Sequence, residues 1–324
     1  MKIRIANGSA YDIAPGENVF RALRAQRVFI PTICGGNGFC GQCKIKVASG
    51  SVPPPNAKET QKLTPAELAA GYRLSCQLVP ENDIAIELPE AVNGVMMYDG
   101  TVTEAELVSR DIRRVRIALN APATLRHLPG AYVLLDIPRA ATARSYSVAT
   151  PPSSENAIEI NVKLVPGGIG SGYVHNTLKP GDALTFTAPY GGYAQCADAN
   201  PLICVAGGSG ISPVISILRH IRETGAARKI VCCFGAKTSA DLPYLAELRE
   251  YERTLPDFKF VPVVETPAPG ENYETGLITA ALSGLCHAGF SAYLCGGPGM
   301  VAASADVLRS CGIPGEKIFF DKFG

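Results

Sequence analysis

The sequence predicts a multi-domain protein in which an α+β domain, an antiparallel β-barrel and a doubly wound parallel sheet follow one another. Three observations support this order: closely spaced cysteines near the start, strands that alternate apolar with polar residues in the middle, and apolar strands that alternate with helical stretches at the end. A chain of 324 residues, 47% of them hydrophobic, exceeds a usual single core. We expect domains at residues 1–92, 93–198 and 199–324.

The charge and hydropathy of the chain exclude two classes of partner. The formal net charge is +1 and no long basic run occurs, which argues against nucleic-acid binding. The most apolar stretch, residues 201–218, is interrupted by three glycines and Pro213, so no membrane insertion is expected. The first residues contain no apolar signal-peptide core. We therefore expect a cytoplasmic protein whose partners are small molecules and other proteins.

Four cysteines characterise the first domain. Cys34, Cys40 and Cys43 lie in the glycine-rich stretch CGGNGFCGQC, and Cys76 follows in YRLSCQL. Thiolates are soft ligands that suit iron, and glycines let the backbone fold around a cluster and point amides at its sulfurs. The pattern predicts a [2Fe–2S] cluster in a small β-grasp ferredoxin domain. Strands over residues 2–6 and 43–47 and a helix over 19–25 fit such a domain.

Zinc and disulfides are the competing uses of these cysteines. Structural zinc sites usually pair cysteines at C-x2–4-C, whereas Cys76 is isolated and five residues separate Cys34 from Cys40. Disulfides are rare in the reducing compartment that the chain start suggests. Zinc stays open as the minor alternative.

The middle domain contains a pattern that suits a flavin. The stretch RSYS supplies Arg144 to grip a pyrophosphate, Tyr146 to lie on an isoalloxazine ring and Ser147 to hydrogen-bond near flavin N5. Residues 166–173, PGGIGSGY, predict a glycine turn that opens a helix, where free amides attract phosphate. Together the two motifs predict an FAD-binding β-barrel.

The last domain contains two glycine-rich strand ends. LICVAGGSGISP predicts a strand, a tight turn and a helix with Pro213 in its first turn, which resembles a dinucleotide-binding turn. YLCGGPGM places Cys295 at the carboxyl end of another strand, the edge where doubly wound sheets bind ligands. An ordinary βα turn and a buried structural cysteine are the alternative interpretations.

Taken in order, RSYS, GGSGISP, YLCGGPGM and the terminal FFDKF resemble the ferredoxin–NADP+ reductase superfamily over essentially the whole chain. With the cysteine-containing domain in front, the chain is similar to NADH-dependent reductase components of ring-hydroxylating dioxygenases and multicomponent monooxygenases, the benzoate dioxygenase reductase type. The resemblance implies one [2Fe–2S] cluster, FAD and NADH, and an oxygenase or hydroxylase component as electron acceptor.

The resemblance also implies roles for individual residues. Arg144 would bind the FAD pyrophosphate, Tyr146 would pack on the flavin, and Ser147 would hydrogen-bond near N5. Cys295 would lie beside the nicotinamide, so Ser147 and Cys295 are the predicted catalytic residues. The other predicted cofactor-binding residues are Ser145, Gly168 and Ser171 for FAD, Gly207, Gly208, Gly210 and Gly296 for NADH, and Phe323 beside the flavin.

Two motifs depart from the commonest patterns of this superfamily. The C-x5-C-x2-C spacing replaces the plant-type C-x4-C-x2-C and is shared with the F subunit of the sodium-translocating NADH:quinone reductase. CGGPGM replaces the frequent CGPPxM but leaves Cys295 and Gly296 in place. The protein could alternatively be a soluble relative of that subunit. Such a relative would feed electrons to a membrane complex or activate a corrinoid protein.

Electron counting orders the cofactors. NADH delivers two electrons as a hydride, a cluster accepts one at a time, and a flavin can pass them on singly. We therefore expect an NAD(P)H-dependent oxidoreductase with the order NADH, FAD, [2Fe–2S], acceptor. NADH is favoured over NADPH because residues 234–245 lack a Ser–Arg pair for a 2′-phosphate, although Lys237 lies there. A second alternative is a non-catalytic redox-sensing interaction module.

Overall fold

The structure, a computed structural model, describes residues 1–6, 8–89, 94–138, 140, 142–193 and 199–322. Three separate sheets follow one another along the chain, as the sequence predicts. The expected boundary between residues 92 and 93 lies outside the described residues, as does residue 198 at the second boundary. No helix in the described ranges is long and apolar enough to cross a membrane.

The first sheet and its helices form the small N-terminal domain. Its elements are β1 (Lys2–Ile5), β2 (Ala10–Asp12), α1 (Val19–Ala25), β3 (Lys44–Ser49), α2 (Ala57–Lys62), α3 (Pro65–Ala69), β4 (Tyr72–Leu74) and β5 (Ile84–Glu87). The strand order is β2-β1-β5-β3-β4, and β1 and β5 are parallel. Helix α1 starts at the Asn18 cap, which accepts from the Arg21 amide. It buries Phe20 and Leu23 against this sheet, with the bounds that the sequence predicts.

The second sheet is antiparallel and curls into a barrel. Its elements are β6 (Met96–Leu107), β7 (Ile112–Ala121), β8 (Ala131–Ile137), β9 (Thr142–Ser147), β10 (Ala157–Lys163), α4 (Ile169–Asn176) and β11 (Ala183–Gly191). The strand order is β10-β7-β6-β11-β8-β9. An antiparallel bridge between Val148 and Ile160 brings the two edges of the sheet together. The expected β-barrel is confirmed.

The third sheet is parallel and has helices on both faces. Its elements are β12 (Leu202–Gly207), α5 (Ile211–Thr224), β13 (Ile230–Ala236), α6 (Leu245–Thr254), β14 (Phe258–Val264), β15 (Glu274–Thr275), α7 (Ile278–Leu282), β16 (Ser291–Gly296), α8 (Pro298–Ser310) and β17 (Ile318–Lys322). The strand order β15-β14-β13-β12-β16-β17 reverses direction between β12 and β16. Helices α5 and α6 cover one face, and α7 and α8 cover the other. Ligands of such sheets bind at that point of reversal.

One predicted helix begins later than its pattern indicates. The stretch DLPYLAELREYERT, residues 241–254, is typical of a helix, but α6 starts at Leu245. Pro243 disfavours a helical conformation at Leu242, and Tyr244 has a positive φ of 62°. Asp241 instead ends a short 3-10 turn that begins at Ser239. This difference places Asp241 in a loop at the edge of the sheet.

Buried polar side chains of the barrel hydrogen-bond to residues of the third domain. Glu159 accepts from Arg219 at 2.9 Å and from the Tyr244 hydroxyl at 3.0 Å. Asn161, two residues further along β10, donates to the Ser212 hydroxyl at 2.9 Å. Because Glu159 and Asn161 are nearly inaccessible to water, unpaired partners would be costly here. These contacts fix the orientation of the two domains.

Candidate functional site

The four predicted cluster ligands come together as two pairs. The side chains of Cys34 and Cys40 hydrogen-bond to each other, as do those of Cys43 and Cys76. The Cys40 thiol lowers the pKa of Cys34, and the Cys43 thiol lowers the pKa of Cys76. The buried Thr32 hydroxyl lies 3.7 Å from the Cys34 sulfur and 3.6 Å from the Cys40 sulfur.

Backbone amides of the glycine-rich loop point at these sulfurs. The amides of Phe39 and Cys40 hydrogen-bond to Cys34, and the amide of Gly38 hydrogen-bonds to Cys76. The Gln42 amide donates to the Cys40 sulfur at 3.5 Å. Donors of this kind stabilise thiolates and tune the potential of an iron–sulfur cluster.

The pairing fits a two-iron cluster better than a single metal ion. Within the described ranges, no group of three or more His, Cys, Asp or Glu side chains is placed to hold one ion. A zinc ion would need four ligands around one point. A [2Fe–2S] cluster instead takes two protein ligands on each iron, which matches two cysteine pairs. The two cysteine pairs therefore suit the predicted [2Fe–2S] cluster.

One side of the cluster loop lies directly on the barrel. The Ser145 hydroxyl on β9 donates to the carbonyl of Ile33 at 2.8 Å, next to Cys34 in the chain. Gly35 has a positive φ of 65°, and a Cβ placed on it would lie 2.0 Å from the Ala143 carbonyl oxygen. Only glycine fits this approach. Ser145, which is predicted to bind FAD, therefore hydrogen-bonds to the cluster loop in this structure.

The surrounding interface between the first two domains is both ionic and apolar. Arg24 forms an ion pair with Asp136 and donates to the Thr187 hydroxyl at 3.3 Å. Phe29 is buried against Ala143 and Tyr190. These contacts hold the ferredoxin-like domain on strands β8, β9 and β11.

The predicted FAD residues of β9 lie on two faces. Strand alternation puts Arg144 and Tyr146 on one face and Ser145 and Ser147 on the other. A Cβ on Gly170 would lie 2.7 Å from the Arg144 side chain and 2.9 Å from the Tyr146 hydroxyl. The RSYS strand and the glycine turn, the two motifs predicted to bind FAD, therefore lie against each other.

The glycine turn opens helix α4 as predicted. Gly168 is the N-terminal cap and has no side chain to cover the helix amides. The Ser171 hydroxyl accepts from the Val165 amide at 3.0 Å, so its hydroxyl is engaged within the turn. The exposed side chains of Val165 and Ile169 flank this helix start. Free amides beside exposed apolar groups suit the phosphate and the ring system of a dinucleotide.

The two glycine-rich strand ends of the third domain pack against each other. A Cβ on Gly210 would lie 2.2 Å from the Cys295 carbonyl oxygen, and one on Gly207 would lie 2.6 Å from the Met300 sulfur. Gly296 adjoins both Met300 and the Gly207 backbone. Cys295 is fully buried, which raises the pKa of its thiol well above the usual value. Phe323, which is predicted to lie beside the flavin, lies outside the described residues.

A cavity of about 500 Å³ lies between the barrel and the carboxyl edge of the parallel sheet. The third domain contributes Gly208, Lys237, Asp241 and Met300 among others, and the barrel contributes Lys163. The position that a Gly208 Cβ would occupy is 3.6 Å from the Lys163 ammonium. A cation beside a glycine turn suits a pyrophosphate. Sequence reasoning missed Lys163 because it belongs to the other domain.

Asp241 is a second residue that sequence reasoning missed. One carboxylate oxygen accepts from the Thr238 hydroxyl at 2.8 Å and from Arg110 at 3.3 Å. The other oxygen is buried and has no hydrogen-bond partner among the described residues. An acidic residue shortly after the second strand is the signal that could have identified it, since this position binds ribose hydroxyls in dinucleotide folds.

Comparisons with known proteins agree with this geometry. A 2Fe-2S iron–sulfur cluster binding domain matches residues 5–81, an oxidoreductase FAD-binding domain matches 99–194, and an oxidoreductase NAD-binding domain matches 204–306. The reductase component of propane 2-monooxygenase from Mycolicibacterium goodii is 32% identical over 96% of this chain and 93% of its own length. The chain belongs to the family of iron–sulfur flavoprotein reductase components of oxygenase systems.

Other members of this reductase family match over a similar extent. The ferredoxin–NAD(P)+ reductase component of the Pseudomonas putida naphthalene 1,2-dioxygenase system is 33% identical over 98% of this chain and 96% of its own. A solved cytochrome P450 reductase from Amycolatopsis superimposes with a TM-score of 0.82 at 29% identity, over 99% of this chain and 98% of its own. These matches confirm the resemblance, the fold class and the three cofactor-binding domain types. The roles of individual residues stay predictions.

Proposed function

We propose that this reductase oxidises NADH and passes the electrons through FAD and a [2Fe–2S] cluster to an oxygenase component. The contact of Ser145 with Ile33 carries this proposal, because it joins the strand predicted to hold the flavin to the loop that contains Cys34. We assign residues 1–92, 93–198 and 199–324 to the three domains, which the matched ranges 5–81, 99–194 and 204–306 support. We assign the protein to the cytoplasm.

The residues present suit the two resident cofactors. When bound, FAD accepts a hydride and releases its electrons singly, and the cluster carries one electron at a time. Arg144 and the amides after Gly168 would hold the FAD phosphates, and Tyr146 would pack on its ring. Ser147 would donate to the ring edge. Cys34, Cys40, Cys43 and Cys76 would ligate the two irons in the observed pairs.

The nucleotide cavity favours NADH. The glycine turn at Gly208 and the Lys163 ammonium suit the pyrophosphate. Asp241 lines this cavity, and its carboxylate would accept from a ribose hydroxyl and repel a 2′-phosphate. Lys237 and Arg110 line the same cavity, but Arg110 already donates to Asp241. Cys295 and Gly296 would lie at the nicotinamide end.

The exposed side of the cluster loop suits the acceptor. Phe39, next to Cys40 in the chain, is 64% exposed, and the Lys58 ammonium lies 5.2 Å from the centre of its ring. Lys62 packs against Gly41 from the same helix. An exposed aromatic beside two lysines fits an acidic protein surface. The relatives named above serve a monooxygenase and a dioxygenase, which supports an oxygenase component as this acceptor.

An anaerobic NADH titration of the purified holoprotein tests the proposal. We expect iron, sulfide and FAD in the ratio 2:2:1 that one cluster and one flavin require, bleaching of the flavin band and a rhombic [2Fe–2S] EPR signal. A fully loaded protein in which NADH reduces neither cofactor would exclude the proposed reductase. Steady NADH-dependent reduction of ferricyanide would exclude the non-catalytic module.

A further inference from the structure

Two thiols outside the cofactor sites are partly exposed in the third domain. Of the ten cysteines in the described ranges, four form the cluster pairs and four are buried in the parallel sheet. The buried ones are Cys204, Cys232, Cys233 and Cys295. The remaining two, Cys286 and Cys311, carry free thiols that are neither fully buried nor fully exposed. Neither residue has a role in the proposed electron path.

The fold brings Cys286 and Cys311 together. The Cys286 side chain hydrogen-bonds to that of Cys311, and its sulfur lies 3.2 Å from the Leu282 carbonyl oxygen. The adjoining backbones also meet, since a Cβ on Gly312 would lie 3.3 Å from the Ala288 Cβ. Beneath them, Leu282 and Leu308 belong to one buried core. Cys286 follows the end of α7, and Cys311 caps the end of α8.

We propose that Cys286 and Cys311 form a reversible disulfide that ties the ends of α7 and α8 together. Both helices also line the nucleotide cavity, α7 through Ile278 and α8 through Met300. A bond at their far ends would therefore restrict how the cavity adjusts to NADH. Persistent disulfides are rare in reducing compartments, whereas reversible dithiol pairs respond to the cellular thiol balance.

The oxidant is a low-molecular-weight disulfide such as oxidised glutathione. Burial and the hydrogen bond with Cys311 raise the pKa of Cys286 to about 12, so Cys311 is the first nucleophile. The Cys311 thiolate attacks one glutathione sulfur, forms a mixed disulfide and releases one glutathione. Cys286 then loses its proton to solvent and attacks the Cys311 sulfur, which releases the second glutathione. Two cysteine thiols are oxidised, one glutathione disulfide is reduced, and the two protons pass to the released thiolates.

Peptide mapping of the holoprotein tests the proposal. The protein is incubated anaerobically with oxidised glutathione, its free thiols are alkylated, and the digest is analysed by mass spectrometry. We expect a peptide pair that joins Cys286 to Cys311, lost on treatment with dithiothreitol. Cys286→Ser and Cys311→Ser proteins should not form it and should keep the KM of the reduced wild type.

Steady-state kinetics with ferricyanide tests the link to the cavity. Oxidation of the wild type should raise the KM for NADH about threefold and dithiothreitol should restore it, with no such change in either variant. Finding both thiols alkylated after oxidation would overturn the proposal. A disulfide that leaves KM unchanged would overturn its effect on the cavity. Peptide mapping needs no enzymatic turnover, so it tests the disulfide even if the proposed function is wrong. Only the KM measurement rests on the proposed function.

Discussion

The Ser145 hydroxyl donates to the Ile33 carbonyl at 2.8 Å and so joins a barrel strand to the loop that carries Cys34. Gly35 lies against Ala143 beside this bond. In the same loop, the Phe39 side chain is exposed to solvent. In the proposed electron path, electrons would enter the loop on the side of the flavin domain and leave it near Phe39.

Gly35→Ala should disturb the contact between the first two domains. A Cβ there would lie 2.0 Å from the Ala143 carbonyl oxygen, and φ is already +65°. We expect reduction of cytochrome c by NADH to fall about tenfold or more while direct reduction of ferricyanide by the flavin continues. Gly16→Ala is a matched control, because its φ is +78° but nothing lies within 4 Å of the new Cβ. Equal losses in both variants would show that backbone strain alone is responsible.

Glu59→Gln should release the segment that carries Cys76. Glu59 is fully buried and accepts from Arg73 at 2.7 Å and from the Leu74 amide at 3.0 Å. Removing one partner of a buried ion pair costs about 3–5 kcal/mol. We therefore expect the free energy of unfolding of this domain to decrease by about 3–5 kcal/mol. We also expect the absorbance of the cluster to be lost. Glu67→Gln, which affects a more exposed pair with Lys44, should leave the absorbance unchanged.

The same ion pair predicts an acid limit of stability. Burial alone would raise the pKa of Glu59, but the hydrogen bonds from Arg73 and from backbone amides lower it below the usual 4.5. A lowered folded-state pKa stabilises the fold above the unfolded value, and this contribution is lost as pH falls through the folded one. Cluster absorbance should therefore decrease below about pH 4.5 in the wild type. The Glu59→Gln protein should show a weaker dependence over that range, and an identical acid profile would contradict the assignment.

Asp241→Ala should narrow the preference for NADH. A hydrogen bond from a ribose hydroxyl to a carboxylate is worth about 1.5–3 kcal/mol, so the ratio of kcat/KM for NADH over NADPH should fall at least about tenfold. Lys237→Ala should change the KM for NADH by less than about twofold, because Lys237 has no ribose hydroxyl to bind in this account. A wild type that prefers NADPH would refute the assignment of Asp241.

Charge reversal at Lys58 should change acceptor choice without changing NADH oxidation. Lys58→Glu should speed reduction of the basic protein cytochrome c at low salt, and the gain should fade as ionic strength rises, since screening shortens to about 10 Å at 0.1 M. Ferricyanide reduction by the flavin should be unaffected. Lys2→Glu, the same charge reversal on β1, is the control. A gain that persists at high salt would point to a conformational effect instead.

Local sequence patterns predicted the secondary-structure elements but not the contacts between domains. The bounds of α1 and β12 follow from apolar periodicity, and glycines marked the turns at Gly168 and Gly208. Lys163 and Asp241 come from different domains, and their shared cavity depends on the packing of Glu159 against Arg219. The contact of Ser145 with Ile33 spans 112 residues, and no local pattern encodes such a distance. The contacts between domains could therefore be identified only from the structure.

Rapid mixing of the anaerobic holoprotein with NADH tests the electron order most directly. We expect flavin absorbance to bleach first and the [2Fe–2S] EPR signal of freeze-quenched samples to grow afterwards, at the rate at which electrons leave the flavin. In the Gly35→Ala protein the first phase should persist and the second should slow. A cluster signal that precedes flavin bleaching, or a reduced flavin beside a cluster that stays oxidised, would exclude the proposed electron order.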